Sequence, residues 1–382
     1  MTFNIPTRIN ISDIEEFVKD KTFHQIKQDA DESNIRVKEL RDGPLVDLYL
    51  LVHSDEDQDD TALASQCRGV IFEKNTNKVV CMSQNKFKST ETYQHIIGLH
   101  QTRTKFTMEY CEDGTVIRLY NYKGLWYTAT TKCIDASHSF WSSPRTFNDM
   151  FFEIFDPKLS EGLDPSYTYI FVLQHKENRI VVPHDENVLV YISRIHNETK
   201  VEDYSDDRQF ELNPTIRRTL QIDSTTIHST QDDYFLPSKR GIICKSYNEP
   251  LSTWETYQYD FSQFSRVKQV RGNVPLLRMR YLELLSDPES LLILEENYLE
   301  AFFLFAMIKH QMNNLYRSIH ALYIDSHCKH NVRVDEENRF YRTLKQLHAS
   351  YKNTGNPITL QEVKYKVNSL DKNVLKKFLN WV

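Results

Sequence analysis

The sequence predicts an α+β protein in which antiparallel sheets come first and a smaller, all-helical domain follows. Tyr and Phe number 21 each while Gly totals only 9, a composition typical of packed sheets and helices rather than disorder. Apolar runs of strand length, separated by polar turns, recur from residue 45 onward. Beyond Leu291 the apolar residues instead recur every three or four positions, which predicts helices.

Bulk properties limit the classes of function. The 382 residues suffice for one large domain and one smaller one. The net charge of -6 argues against a globally basic nucleic-acid-binding protein, so any phosphate contacts must come from local patches. The 6 cysteines are scattered without a Cys-x-x-Cys pair, which favours a reducing compartment over a disulfide framework. Without a signal-like N-terminus or a bilayer-length apolar run, we expect an intracellular, cytoplasmic protein with no membrane partner.

The N-terminal part contains a predicted helix, a strand and a loop. Ser12 and the carboxylates after it suit the free N–H groups at a helix start, so a helix is predicted from about Asp13 to Lys21. Leu45 to Val52 is a mostly apolar run of strand length. The acidic stretch Ser54 to Asp60 that follows is predicted to be a solvated loop.

The central stretch of the chain is Phe106 to Thr131. Asp113-Gly114 separates two β-rich runs, and a polar turn at Asn121 to Gly124 precedes a third. Because Asp-Gly supplies the positive φ that tight hairpins need, the local pattern predicts a three-stranded meander. Two earlier strands are predicted at Gln66 to Phe72 and Lys78 to Met82.

The elements that follow are predicted from their spacing. Thr146 to Phe155 carries an aromatic stripe at helical spacing. Tyr167 to Leu173 and Ile180 to Val182 are predicted to form a strand pair, with Val188 to Ile195 as a further strand. In the C-terminal part a buried helical stripe is predicted, formed by Leu294, Tyr298, Phe302, Phe305, Ile308 and Met312.

Three short motifs resemble those of one enzyme family. The turn Cys111-Glu112-Asp113-Gly114-Thr115 is similar to the Lys-Glu-Asp-Gly-Ser motif of ATP-dependent RNA ligases, with cysteine in place of lysine. Upstream, Cys67-Arg68-Gly69-Val70-Ile71-Phe72-Glu73 resembles the strand that these ligases carry before the motif. Lys86-Phe87 resembles the start of their Lys-Phe-Phe-Asn sequence. In this order, the motifs resemble RNA ligases of phages and large DNA viruses, which implies a nucleotidyltransferase fold and a virus-infected cell as the setting.

Later segments resemble the family while departing from it at charged positions. Phe171 to Val181 resembles a ligase segment whose second residue is a glutamate, but that residue is Val172 here. Lys239 to Lys245 resembles a strand that supplies another carboxylate, and Arg240 stands in its place. The family's Lys-x-Lys pair falls near Tyr257-Gln258-Tyr259, in a stretch without lysine.

The resemblance implies a reaction in which a lysine amine attacks ATP, forms lysine-AMP, and passes AMP to an RNA 5'-phosphate. Cys111 occupies the position of that nucleophile. A cation in place of a metal-binding carboxylate disfavours Mg²⁺, so no cofactor is expected, and ATP and Mg²⁺ would be used only by an active ligase. The implied nucleotide pocket comprises Arg68, Gly69, Lys86, Phe87, Asp113, Gly114, Val172 and Arg240.

Arg68 and Lys86 have an ordinary alternative role, in an ion pair at a sheet edge. The sequence Ser326 to His330 brings together two histidines and a cysteine, but no second ligand cluster stands at zinc-finger spacing, so no metal site is predicted.

A basic stretch precedes the predicted helical domain. Between residues 261 and 282 every charged residue is basic, which predicts either a nucleic-acid contact or a solvated connector. These residues are Arg266, Lys268, Arg271, Arg278 and Arg280. The predicted domains are residues 1–284, ligase-like, and 285–382, helical.

Three hypotheses about function follow from the sequence. The first is a catalytically inactive, ligase-like protein that binds RNA or a protein partner. The second is an active RNA ligase whose substitute nucleophile is Cys111 or a lysine from elsewhere in the fold. The third is a structural protein of a viral or other assembly.

Overall fold

A computed structural model describes residues 6–33, 35–53, 61–84, 86–90, 92–103, 105–204, 210, 213–222, 238–249 and 253–381. The predicted acidic loop at residues 54–60 lies outside this part of the chain. The chain divides into two compact units, Met1–Ser265 (unit 1) and Arg266–Val382 (unit 2). These compact units are not by definition independently folding domains. The domain boundary after residue 284 therefore stays a prediction.

Unit 1 contains strands in three sheets and several short helices. The strands are β1 (Thr7–Arg8), β2 (Ile35–Glu39), β3 (Leu48–His53), β4 (Arg68–Glu73), β5 (Val79–Cys81), β6 (Lys88–Ser89), β7 (Phe106–Cys111), β8 (Thr115–Tyr122), β9 (Leu125–Ala129), β10 (Tyr167–Gln174), β11 (Val188–His196), β12 (Val201–Asp203), β13 (Ile216–Arg218), β14 (Gly241–Asn248) and β15 (Thr253–Asp260). The helices are α1 (Ser12–Val18), α2 (Phe23–Glu32), α3 (Ala62–Gln66), α4 (Tyr93–Thr102) and α5 (Phe147–Ile154).

The predicted antiparallel architecture is confirmed. The largest sheet has the order β1-β12-β11-β10-β8-β9, with β13 added beside β11. A second sheet has the order β6-β15-β14-β7, and a third has the order β2-β3-β4-β5. Only the pairs β11–β13 and β15–β6 are parallel among the described strands.

Helix α5 packs on one face of the largest sheet. Thr146 caps it, accepting a hydrogen bond of 3.1 Å from the backbone N–H of Asp149. Phe151 stacks against Phe155 and meets Phe171 of β10 edge-on, so the predicted aromatic stripe is confirmed as core.

The meander prediction is wrong for the first of its three strands. Strands β8 and β9 form the predicted hairpin, but β7 pairs with β14, and β8 pairs with β10. The Asp113-Gly114 turn therefore carries the chain from one sheet into another. The predicted strand at residues 180–182 is also absent from the described structure, because the Val181 and Val182 N–H groups donate to the Asp113 carboxylate instead.

Arg118 joins the largest sheet to the third sheet and was not singled out by the sequence pattern. Its side chain is fully buried on β8. Its guanidinium donates to the carbonyl of Gly69 on β4, to that of Met82 after β5 at 3.3 Å, and to that of Thr130. Gly69 has a φ of +109°, and a Cβ there would lie 2.9 Å from the Arg118 guanidinium. Glycine at 69 is thus explained by this close approach.

Unit 2 is helical throughout its described elements. Helix α6 (Ser262–Arg271) leads into it, and α7 (Leu277–Glu283), α8 (Pro288–Asn297), α9 (Phe302–Tyr323), α10 (Tyr341–Thr354), α11 (Leu360–Asn368) and α12 (Lys372–Phe378) follow. Of the predicted stripe, Phe302 alone is exposed, since it is the first residue of α9. No helix in the described part of the chain is long and apolar enough to cross a membrane.

We predict that Arg118→Met lowers the free energy of unfolding by about 3 kcal/mol, because three buried carbonyls lose a charged donor while the apolar stem is kept. Urea denaturation measures the change. Arg41→Met, at an exposed position, is the control and should change stability by less than about 0.5 kcal/mol. Equal stability of the two variants would contradict this role.

Candidate active site

The turn between β7 and β8 is held by a buried carboxylate. Asp113 accepts hydrogen bonds from the N–H groups of Val181 at 2.9 Å and Val182 at 2.8 Å. Two charge-assisted bonds satisfy a carboxylate that has left water. The turn is thereby tied to the segment after β10.

Gly114 passes directly over β10. A Cβ at this position would lie 2.6 Å from the carbonyl oxygen of Leu173 and 2.7 Å from Cγ1 of Val172. Only glycine allows so close an approach without a shift of the backbone. The structure therefore brings Val172 and Gly114 together, and Val172 is buried there.

Cys111 is the last residue of β7 and its thiol is buried. Burial raises the pKa of this thiol to about 12, although the nearby Arg240 opposes that shift. Since the thiolate is the nucleophilic form, the group is almost entirely unreactive at neutral pH. Cys111 lies opposite Gly241 of β14, and its carbonyl accepts from the Arg240 N–H at 3.0 Å.

An amine that the sequence interpretation did not single out lies beside Cys111. The Lys239 ammonium forms an ion pair with the buried Glu112, and the Gln174 side chain donates to the same carboxylate at 3.1 Å. The ammonium of a lysine has three N–H donors and no acceptor. Lys239 precedes Arg240 directly, so its position follows from the predicted motif, whereas its partner does not.

The positive charge of Arg240 is paired with a carboxylate within the sheet. Its guanidinium makes a bidentate contact with Asp260 of β15, at 2.8 Å and 3.1 Å. Asp260 faces Gly241 across the strand pair. The Arg240 guanidinium is therefore neutralised by a carboxylate on the neighbouring strand.

A third ion pair lies two residues before Cys111 on the same face of β7. The buried Glu109 is 3.4 Å from the Lys245 ammonium and accepts from the Gln221 side chain at 2.9 Å. The Lys245 ammonium also lies 3.6 Å from the ring centroid of Tyr204. Side chains from outside the sheet thus cover part of this face.

We name these three contacts the paired triad: Glu109–Lys245, Glu112–Lys239 and Asp260–Arg240. All six side chains are largely buried, and each is paired with one partner of opposite charge. The donor set does not suit Mg²⁺, since each of its three carboxylates is already paired with a cation, and cations paired in this way attract a triphosphate less strongly. No group of three or more potential metal ligands is found in the described residues, and the absence of a metal site stays a prediction.

The remaining predicted pocket residues lie on other segments. Arg68 begins β4 and is exposed, while Gly69 packs against Arg118. Lys86 and Phe87 lie between β5 and β6. The nucleotide-binding roles given to these four residues stay predictions.

The basic stretch is only partly available to a ligand. The buried Arg271 donates to the carbonyls of Val274 and Pro275, and Arg280 donates to the carbonyl of Val270 at 2.6 Å and pairs with Glu283. These two arginines hold the connection from α6 to α7. Arg266 and Lys268 are exposed, and the Arg266 guanidinium lies 3.7 Å from the Glu289 carboxylate. Arg278 lies over the Trp381 ring.

The chain is similar to viral and phage proteins. It is 27% identical over 223 residues to a putative bifunctional polynucleotide kinase/RNA ligase of Autographa californica nuclear polyhedrosis virus, covering 54% of this chain and 32% of that protein. It is 29% identical over 178 residues to an RNA ligase of Rhodothermus phage RM378, covering 38% of this chain and 40% of that one. The chain thus spans less than half the length of either protein.

One further relative and two solved structures are also similar to the chain. An immediate-early protein ICP-46 homolog of Invertebrate iridescent virus 6 is 22% identical over 320 residues, covering 77% of this chain and 69% of that protein. Solved structures include a putative ATP-dependent DNA ligase from Aquifex aeolicus, with a TM-score of 0.45, 11% identity, and coverage of 78% and 80%. An archaeal ATP-dependent RNA ligase has a TM-score of 0.47, 12% identity and coverage of 70% of each chain. No family model matches the chain.

The chain is an α+β protein whose sequence is similar to proteins described as RNA ligases. The sequence relatives confirm the predicted resemblance to RNA ligases of phages and DNA viruses. The relatives do not bear on the replacement of the nucleophile.

We predict that iodoacetamide at pH 8 labels the exposed Cys328 and leaves Cys111 unlabelled in the folded protein. The raised pKa keeps the Cys111 thiol protonated at pH 8, and burial of the side chain excludes the reagent. Peptide mass spectrometry of native and urea-unfolded samples measures both sites. Labelling of native Cys111 as fast as Cys328 would contradict the described environment.

Proposed function

We propose that this chain is a ligase-like protein that has lost nucleotidyl transfer and binds RNA. The observation that carries the first half is the paired triad, in which the charges beside the turn neutralise one another. Cys111 adds a second reason, because its thiol holds its proton at neutral pH. Covalent catalysis needs an activated nucleophile, and loss of that group alone costs on the order of a millionfold in rate in other covalent enzymes.

RNA as the ligand is supported by the relatives, whose names identify RNA ligases. A protein that keeps the scaffold but not the chemistry can retain the ability to hold the substrate. The exposed basic residues Arg266 and Lys268 support phosphate contacts in unit 2. We place this activity in the cytoplasm of a virus-infected cell.

A second candidate is an active ligase that uses Lys239 as its nucleophile. It is favoured by one observation, the amine of Lys239 lying against Glu112 beside the family's nucleophile position. For this reaction Glu112 would have to accept the proton of the amine before attack. Lys239→Arg keeps the charge and removes the nucleophile, so it isolates this candidate.

The test incubates the purified chain with ATP labelled at the α-phosphate and Mg²⁺. We expect no covalent AMP in the wild type and none in Cys111→Lys, because Val172 and Arg240 still stand where the family has carboxylates. An adduct in the wild type would refute loss of transfer. If Lys239→Arg abolished that adduct, the second candidate would be established.

The same samples are titrated with fluorescent single-stranded RNA at increasing salt. We expect binding that weakens as salt rises, because displaced counterions drive phosphate contacts. The double variant Arg266→Gln, Lys268→Gln should bind more weakly and show a shallower salt dependence. Absence of wild-type binding at low salt would overturn the RNA-binding half and direct attention to a protein partner.

A further inference from the structure

Charge is distributed unevenly between the two units. Residues 266–382 contain 18 Lys and Arg against 12 Asp and Glu, a formal charge of +6. The whole chain carries -6, so residues 1–265 carry -12. The excess lies at the C-terminal end, since residues 341–381 contain 8 Lys and Arg against 2 acidic residues. A protein that is acidic overall thus has one locally basic part, which suits an anionic ligand.

Four aromatic rings form a continuous series in this basic part, where the end of α9 meets α10. Tyr323 and His327 are stacked, with ring centroids 5.0 Å apart and an interplanar angle of 8°. His327 lies 4.6 Å from His348, and His348 lies 5.9 Å from Tyr351. We name this series the aromatic ladder. Exposure increases along it, from a buried Tyr323 to a Tyr351 that is 42% exposed.

His327 of the aromatic ladder lies in a π-helical turn. After α9 the chain makes a π-helical turn at Ile324–Cys328, in which the Lys329 N–H donates to the Ile324 carbonyl at 2.9 Å. The hydroxyl of Ser326 contacts His327 Nδ1 at 2.7 Å, which fixes the imidazole. Single π-turns occur frequently at functional sites.

Lys352 and His330 both act electrostatically on the two imidazoles. Burial, Lys352 and His330 lower the pKa of His348, and burial, His348, His330 and Lys352 lower the pKa of His327. These lowered pKa values favour the neutral form of both rings, which is the form better suited to stacking. Lys352 follows Tyr351 directly and is exposed, and it makes no ion pair within the described residues. Lys329 is exposed as well, 3.3 Å from Asp325.

We infer that the aromatic ladder is a single-stranded RNA-binding site, in which a base stacks on Tyr351 and His348 while Lys352 and His330 contact the flanking phosphate. Exposed rings beside cations are the combination that single-strand binding uses, since any base has a face to stack. The inference rests on the proposed function and adds a surface distinct from the basic stretch at 266–280.

The test measures fluorescence anisotropy of the full chain with a fluorescein-labelled single-stranded RNA and with an abasic oligonucleotide of equal length. We expect Tyr351→Ala and His348→Ala each to weaken RNA binding about tenfold. Tyr351→Phe should bind like wild type, because it keeps the ring. Neither Ala variant should change binding of the abasic strand. Lys352→Gln should weaken binding of both the RNA and the abasic strand.

Tyr365→Ala is the matched control, since Tyr365 is an aromatic residue of α11 that is 80% exposed. Thermal melts verify that each variant is folded. If Tyr351→Ala binds RNA as tightly as Tyr365→Ala, the ladder is not the site, and the proposed RNA binding still stands. If the wild type binds no RNA at low salt, both proposals fail together.

Discussion

Buried charge has to be balanced inside the protein, and this constraint governs the sheet that carries Cys111. Lys239, Arg240 and Lys245 each hold a carboxylate, and the carboxylates come from β7, β15 and the turn after β7. Removing one partner of such a pair leaves an uncompensated charge, which typically costs about 3–5 kcal/mol. Each ion pair of the triad therefore requires both of its members.

The same turn shows two residues of the predicted motif in structural roles. Asp113 and Gly114 are used structurally: the carboxylate anchors two backbone N–H groups, and the glycine allows contact with β10. These roles do not depend on a nucleophile at residue 111. Asp113 and Gly114 thus serve the fold beside a buried thiol at residue 111.

Local patterns allowed much of the fold to be predicted. Helix α5 and strands β10 and β11 are encoded by the spacing of their own apolar residues. Pairings between distant segments were not predictable in this way, so β7 was assigned to a meander with β8 although it pairs with β14. The partner of Lys239 is Glu112, 127 residues away, and no local pattern connects them. The replaced positions Cys111, Val172 and Arg240 were identified by resemblance, whereas Asp260 and Glu109 required the structure.

The central claim is that the triad has replaced nucleotide binding, and isothermal titration of the purified chain with ATP and Mg²⁺ tests it most directly. Binding is a more sensitive measure than transfer, because a site that has lost its nucleophile alone still binds ATP. The account predicts no saturable heat at millimolar ATP, with or without Mg²⁺. Saturable binding at one ATP per chain would contradict it.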